Sequence, residues 1–345
     1  MAGIPMISGK ALIGEELEVR KVDIVMDRGI ITHIEDNPRA PELWICPALF
    51  NAHTHLGDTI AMDCRTSGDL AALVTPPDGL KHRILRAAAP EMVVRGMRAS
   101  MEGMAARGIA GCGDFREGGV SGVAALREAV AGLPFRTYIF GREGGEKDAD
   151  GLGISSVRDT PDATNQVDAA RKAGKKIAFH AGERDAEDVD SALALDPDLI
   201  VHATHATRRQ IRECADRGIP IAVCPRSNWT LGVAGSPVHP PLRLMRDLGC
   251  ILMLGTDNVM FVAPDLFSEM AFVSSVYRLD PRTILQAAVR GSQFVGQPFF
   301  ITEKMPANFF SIDPARSALQ FSHDPVASLV KRAAAACIAS NVFTL

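Results

Sequence analysis

The stretch "LWICPALFNAHTHLGDT" at 43–59 is an apolar run that ends in two histidines, His53 and His55, one residue apart. Side chains alternate along a strand, so a spacing of two puts both imidazoles on one face. The apolar character before them is continuous rather than alternating, as in a strand buried on both faces of a parallel sheet. The pair is either two metal ligands or two core histidines satisfied by backbone. The rest of the chain has to decide between them.

Similar runs recur between Gly108 and Asn258: "GIAGCGDF", "PFRTYIFG", "KKIAFHAG", "LIVHATH", "IPIAVCP" and "CILMLGTD". "DGLGISSV" is a weaker one between the second and third. Each has strand length and is bounded by Gly, Pro or polar residues. Helices are expected between them at 91–106, 121–131, 161–174, 185–195, 207–217 and 239–248, followed by 264–276 and 281–296. This α/β alternation of eight strands with helices predicts a (β/α)8 TIM barrel over 47–299. A doubly wound open sheet is the alternative, but no G-x-G-x-x-G or P-loop follows any strand. Short strand-like pieces at 5–46, with the later "PANFFSIDP", predict a small composite β-sandwich from 1–46 and 300–345. "PVASLVKRAAAACIA", near the end, reads as a further helix.

The 345 residues are 47% apolar and 23% charged, the profile of a globular protein. Net charge is −4 without a long run of one sign, which argues against a basic nucleic-acid surface. No apolar run reaches the ~18 residues that would span a bilayer, and "MAGIPMISGK" lacks the charged start and apolar core of a signal peptide. Seven cysteines are scattered singly with no C-x-x-C. They read as small core residues in a reducing, cytoplasmic setting, rather than as a disulfide framework or a thiolate zinc site.

The active site of such a barrel lies at the C-terminal ends of its strands. His53 and His55 end the first strand, His180 ends "KKIAFH", His202 ends "LIVH" and Asp257 ends "ILMLGTD". Glu183 follows His180 in the turn. Four of the nine histidines thus fall on one rim, and the core-histidine reading recedes. Three imidazoles and a carboxylate are a ligand set for Zn²⁺ or Fe²⁺ that leaves a position for water.

"PALFNAHTHLGDT", "FHAGE", "VHATH", "CPRSN" and "LGTDN", in that order, resemble the amidohydrolase superfamily. More narrowly, they resemble its cytosine-deaminase-like and chlorohydrolase-like branch of metal-dependent aminohydrolases. The similarity covers nearly the whole chain, because that family flanks its barrel with a β-sandwich built from both termini. It implies that His53, His55, His180 and Asp257 hold one divalent metal ion per chain, zinc ahead of iron or manganese. It implies that His202 contacts the nucleophilic water, and that Glu183 shuttles protons to the ring nitrogen and the leaving group. The chemistry supports these roles. A divalent cation lowers the pKa of water from ~15.7 toward ~7, Asp257 can accept the water proton, and ammonia leaves only when protonated. Binuclear members bridge two metals through a modified lysine at the end of the fourth strand. Here that region reads "GLGISSV", and Lys175 and Lys176 start the fifth strand at the wrong end. One metal is therefore expected. The H-x-E and P-C-x-x-C signature of the small zinc deaminase fold is missing.

The expected activity is deamination of a purine, pterin, pyrimidine or related nitrogen heterocycle. Hydrolysis of an amide, a cyclic amide or a chloro-heterocycle on the same metal is the alternative. A non-catalytic metal- or ligand-binding barrel is remote, because the full set of acid-base residues is retained. Arg116 and Arg142 at other strand ends suit a carboxylate or phosphate on the substrate, or else they pair with Glu117 and Glu143 to brace loops. Asn228 is a polar group at the mouth, Trp229 can stack on a planar ring, and His205 faces the substrate or supports the site. "TPPDGLKHRIL" at 75–85 is a loop of the kind that covers the mouth. The expected partner is a small heterocycle, with no nucleic acid and no membrane, and a homodimer is compatible with the chain.

Overall fold

A computed structural model describes residues 5–64, 70–75 and 78–344. The first four residues of "MAGIPMISGK" and the two prolines of "TPPDGLKHRIL" lie outside the described residues. The strands in chain order are β1 (Met6–Ile13), β2 (Glu18–Asp27), β3 (Ile30–Asp36), β4 (Trp44–Pro47) and β5 (Leu49–His55). Then come β6 (Ile109–Arg116), β7 (Arg136–Gly141), β8 (Gly151–Ile154), β9 (Lys176–Ala181) and β10 (Leu199–His202). The remainder are β11 (Ile221–Val223), β12 (Leu252–Leu254), β13 (Asp257–Asn258), β14 (Asn308–Ile312) and β15 (Ile338–Phe343).

The larger sheet runs β12-β11-β10-β9-β8-β7-β6-β5-β13, and its neighbours are parallel. β12 and β13 are two pieces of one eighth strand, interrupted at Gly255 and Thr256. The first piece pairs with β11 and the second with β5, so the sheet closes into the expected barrel. Closure brings backbones close, and glycine is required there: a Cβ on Gly255 would lie 2.7 Å from the Cβ of His53. Asn51 clips the first strand to the last. Its Nδ2 donates to Thr256 Oγ1 (2.8 Å) and its Oδ1 accepts from Thr256 N (3.0 Å).

Inside the ring, Phe115, Phe140, Ala178, Val201, Ala222 and Met253 form an apolar plug. Phe115 reaches up to the rings of His53 (4.6 Å) and His180 (4.7 Å). The plug fills the lower barrel, as in other closed barrels of this size, so polar chemistry is confined to the C-terminal mouth. Helices cover the outside, the longest being Pro90–Ala105 and Pro281–Phe294.

The terminal segments form one six-stranded mixed sheet, ordered β15-β14-β4-β1-β2-β3. One face buries Val22, Ile24, Ile31, Ile45 and Phe309 among themselves. The other gives Leu12, Leu17, Trp44 and Phe310 to the main core. The helix expected over "PVASLVKRAAAACIA" ends at Arg332, and β15 follows it. The alanine run favours helix, but "IASNVF" pairs antiparallel with the otherwise open edge of β14. Tertiary pairing overrides propensity there. All seven cysteines are free, and Cys46, Cys112, Cys214, Cys224 and Cys250 are buried. No described helix is long and apolar enough to cross a membrane.

Candidate active site

Because β5 alternates, His53 and His55 both face the mouth while Thr54 turns outward to donate to Gly113 O (3.0 Å). His180 comes from β9 and His202 from the end of β10. The His53 ring lies 4.9 Å from His55, 4.8 Å from His180 and 5.6 Å from His202, centroid to centroid. All four rings are buried.

Three of them have a committed tautomer. His180 Nδ1 donates to Ile154 O (3.0 Å) and His202 Nδ1 to Asn228 Oδ1 (3.2 Å). His55 Nδ1 lies 2.7 Å from Glu117 Oε1 and 3.1 Å from Phe115 O. Each Nδ1–H held in this way leaves an Nε2 lone pair facing the centre, the usual arrangement behind metal-ligating imidazoles. Burial pushes His53 down to about 4 and His55 down to about 3, and, with the neighbouring rings, takes His180 well below its ordinary value. All three are neutral at pH 7, the state that ligates a metal.

Asp257 Oδ1 lies 3.2 Å from His53 Nε2 and 3.4 Å from His55 Nε2. Two donors each ~2.1 Å from one tetrahedral ion stand ~3.4 Å apart, so these spacings fit ligands of a common centre. Burial would raise the Asp257 pKa, but the His53 hydrogen bond and the surrounding imidazoles hold it well below the carboxylate range. Ser227 Oγ donates to Asp257 Oδ2 (2.7 Å), which leaves Oδ1 facing the rings. His53 Nδ1 is buried with no hydrogen-bond partner. Ligand atoms of His53, His55 and His180, and those of His53, His202 and Asp257, converge within 4.8 Å. The donor set suits a divalent ion. Two of these residues, His202 (φ 73°) and Asp257 (φ 64°), also sit in the left-handed region. That strain is typical of functional positions.

Glu183 lies at the edge of the cluster, its Oε1 3.9 Å from His202 Nε2. Burial raises its pKa, outweighing the attraction of His202. His55, His180, Glu183, Lys81, Arg142 and Asn258 are among the residues lining the pocket at this mouth.

The expected metal, water-contacting and proton-transfer residues are therefore all brought together. The expected substrate contacts divide. Arg142 lines the pocket. Arg116 is sealed beneath it, donating through Nη2 to Glu117 Oε2 (2.6 Å) and through Nη1 to Met97 Sδ (3.1 Å). Asn228 is tied up behind His202 and donates to Thr204 Oγ1 (2.7 Å). Trp229 donates to Tyr277 Oη (2.8 Å) and packs on Phe272, away from the pocket. His205 sits farther out with Glu183 and Arg184, beside the His239 ring. Sequence reasoning missed Lys81, Ser227 and Asn258. All three are inside quoted stretches, Lys81 in the mouth-covering "TPPDGLKHRIL", but nothing local singles out these residues within them.

A family model for adenosine deaminase matches residues 150–297. A protein of Methanothermobacter thermautotrophicus described as a putative aminohydrolase is 34% identical, with 94% of each chain covered. The chain belongs to the aminohydrolases of the amidohydrolase superfamily. Two solved structures share the aminohydrolase fold. Atrazine chlorohydrolase from Arthrobacter aurescens, complexed with zinc, superposes with TM-score 0.79 at 18% identity, covering 94% of this chain and 90% of that one. An adenosine deaminase from Xanthomonas campestris, with bound zinc, gives 0.75 at 17% identity, covering 97% and 90%. In this aminohydrolase the cluster at the barrel mouth has the donor set of a divalent-metal site.

Proposed function

We propose that the chain is a deaminase of a nitrogen heterocycle with one metal ion, zinc, held by His53, His55, His180 and Asp257. Zinc is the ion in the chlorohydrolase and adenosine deaminase structures. The bound ion would supply a nucleophile at neutral pH by lowering the pKa of water from ~15.7 toward ~7. The observation that carries the reading is Glu183, a partly buried acid of raised pKa 3.9 Å from His202 at the edge of the ligand cluster. Burial favours its protonated form, which suits proton delivery to a ring nitrogen beside the attacked carbon.

The roles follow from position. Asp257, fixed by Ser227, accepts the proton released when water adds to the amino-bearing carbon. His202, held by Asn228, stabilises the oxygen that adds. Glu183 protonates the ring nitrogen, takes the water proton over from Asp257 and passes it to the amino group, and is reprotonated by the added hydroxyl as the carbonyl forms. The carbon–nitrogen bond breaks, ammonia leaves and a ring carbonyl remains. Chloride needs no proton to leave, so an acid at 183 favours ammonia over halide as the leaving group. The seven free thiols fit a reducing, cytoplasmic setting.

The test is an ammonia-release screen of aminopurines, aminopterins and aminopyrimidines with zinc-, iron- and manganese-loaded protein. Glu183→Gln is expected to keep its metal by elemental analysis and to lose roughly 10²–10⁴ in kcat. Full turnover in that variant would refute the proton-transfer assignment. Two tightly bound ions per chain would refute the single-ion reading.

A further inference from the structure

Lys81 and Arg142 both line the pocket beside His55 and His180, and both are nearly sealed from solvent, at 3% and 7% side-chain exposure. Their protein partners do not use them up. Lys81 Nζ reaches Glu117 Oε1 at 2.6 Å, and Arg142 Nη1 reaches the same oxygen at 3.3 Å. Neither has a further acceptor among the described residues. A guanidinium has five donors and an ammonium three, so most of their N–H groups are unpaired at a pocket wall. Both heads reach one oxygen atom, so they are neighbours.

Glu117 cannot neutralise them alone. Its Oε1 also faces His55 Nδ1 at 2.7 Å, and its Oε2 accepts from Arg116 Nη2 at 2.6 Å. Asp114 stands 3.5 Å from Arg116. Lys81, Arg116 and Arg142 thus face two carboxylates, Glu117 and Asp114. Two further acids are buried nearby: Asp58 is pushed up to about 8 by burial, and Asp188, in the lining of the same pocket, accepts from Gly182 N at 2.7 Å. Among these three cations and the two carboxylates Glu117 and Asp114, one positive charge is left over. A buried charge is costly unless it is paired. In the lining of the same pocket the Oδ1 of Asn258 is buried without a donor among the described residues. A polar ligand would complete both.

We propose that the substrate heterocycle carries a carboxylate, gripped by Lys81 and Arg142, with a ring N–H given to Asn258 Oδ1. The proposal rests on the reading of this pocket as the deaminase site. Lys81 and Arg142 share the one oxygen Glu117 Oε1, so two cations already face one carboxylate, a balance that a monoanion completes and a phosphate dianion overshoots. Arg116 takes no part, because Glu117, Asp114 and Met97 enclose it.

The experiment compares matched pairs of amino-heterocycles: pterin with pterin-6-carboxylate, cytosine with 5-carboxycytosine, and 6-hydroxymethylpterin with its phosphate. Binding to the zinc-loaded Glu183→Gln protein is measured by calorimetry, independently of turnover. At least one carboxylate is expected to bind ten- to a hundred-fold tighter than its neutral parent, the range of a charge-assisted hydrogen bond. Arg142→Gln and Lys81→Met, introduced singly in that protein, should each cut this preference at least ten-fold, and Arg142→Lys should restore part of it. Zinc content is checked in each. No carboxylate preference anywhere in the panel, a preference untouched by both substitutions, or a stronger preference for the phosphate would each overturn the proposal. Carboxylate preference without ammonia release by the native protein would leave it standing and defeat the deaminase reading. Ammonia release without that preference would do the reverse.

Discussion

Glu117 does for His55 what Ile154 O does for His180 and Asn228 for His202: it holds Nδ1–H so that Nε2 faces the ligand cluster. It is the charged member of the three, and a carboxylate behind a ligating imidazole raises the basicity of the ring. Burial would raise its pKa, yet Lys81, His55 and Arg116 together hold it well below the carboxylate range. Glu117→Gln removes that charge while nearly keeping the shape. The zinc affinity of the variant, measured by competition with a chelator, is expected to fall by about 10- to 100-fold. An unchanged affinity would mean that Phe115 O, 3.1 Å from the same nitrogen, is the true acceptor.

The element behind the other half of the site is the short helix Pro225–Thr230, which carries both Ser227 and Asn228. Its first turn is fastened by Glu269 of the helix Leu266–Phe272, whose Oε1 accepts from Arg226 N at 2.9 Å. Burial, only partly offset by Arg226, pushes Glu269 up to about 8, far above the 4.5 of a free glutamate. The folded state therefore binds this proton more tightly than the unfolded chain. Its contribution to stability is full below about pH 4.5 and declines as pH rises to about 8. Between pH 5 and pH 8.5 the native protein should lose more stability than Glu269→Gln, by at least about 1 kcal/mol in urea unfolding. Parallel curves would place the carboxyl in its charged form throughout. This support was hidden in the sequence for the same reason that Lys81 was. Period and strand ends expose "HTH", "FHAGE" and "LGTD" locally, and the barrel follows from them. Arg116 and Arg142 look alike as strand-end arginines, and only packing shows that Glu117 and Met97 enclose the first while the second lines the pocket. Trp229 looks like a ring-stacking residue until Tyr277, 48 positions away, claims its indole N–H. The last helix was over-read because its alanines carry helix propensity, while the vacant edge of β14 that redirects "IASNVF" is a tertiary fact.

At the scale of the whole molecule, the barrel is closed twice. Asn51 and the split eighth strand close the backbone ring. The proposed metal ligands would draw the mouth together from β5, β9 and β13, and those strands enter the sequence 204 residues apart at the extremes, from His53 to Asp257. The terminal sheet contributes Leu12, Trp44 and Phe310 to the same core as the barrel helices, so unfolding should be one cooperative transition rather than two. An ion that binds only the folded ring then stabilises the entire chain. Without it, four buried imidazoles and a carboxylate face one another with His53 Nδ1 unpartnered. Stabilisation should follow RT ln(1 + [M]/Kd), about 4 kcal/mol at a free ion concentration of ~1,000 Kd. Thermal unfolding in zinc buffers of increasing free concentration should therefore give a Tm that rises with the logarithm of free zinc, and a chelator should reverse it. His180→Ala is expected to flatten that dependence while leaving the metal-free Tm close to that of the metal-free native protein. Equal Tm values with and without zinc would mean that the cluster holds no ion in the folded protein.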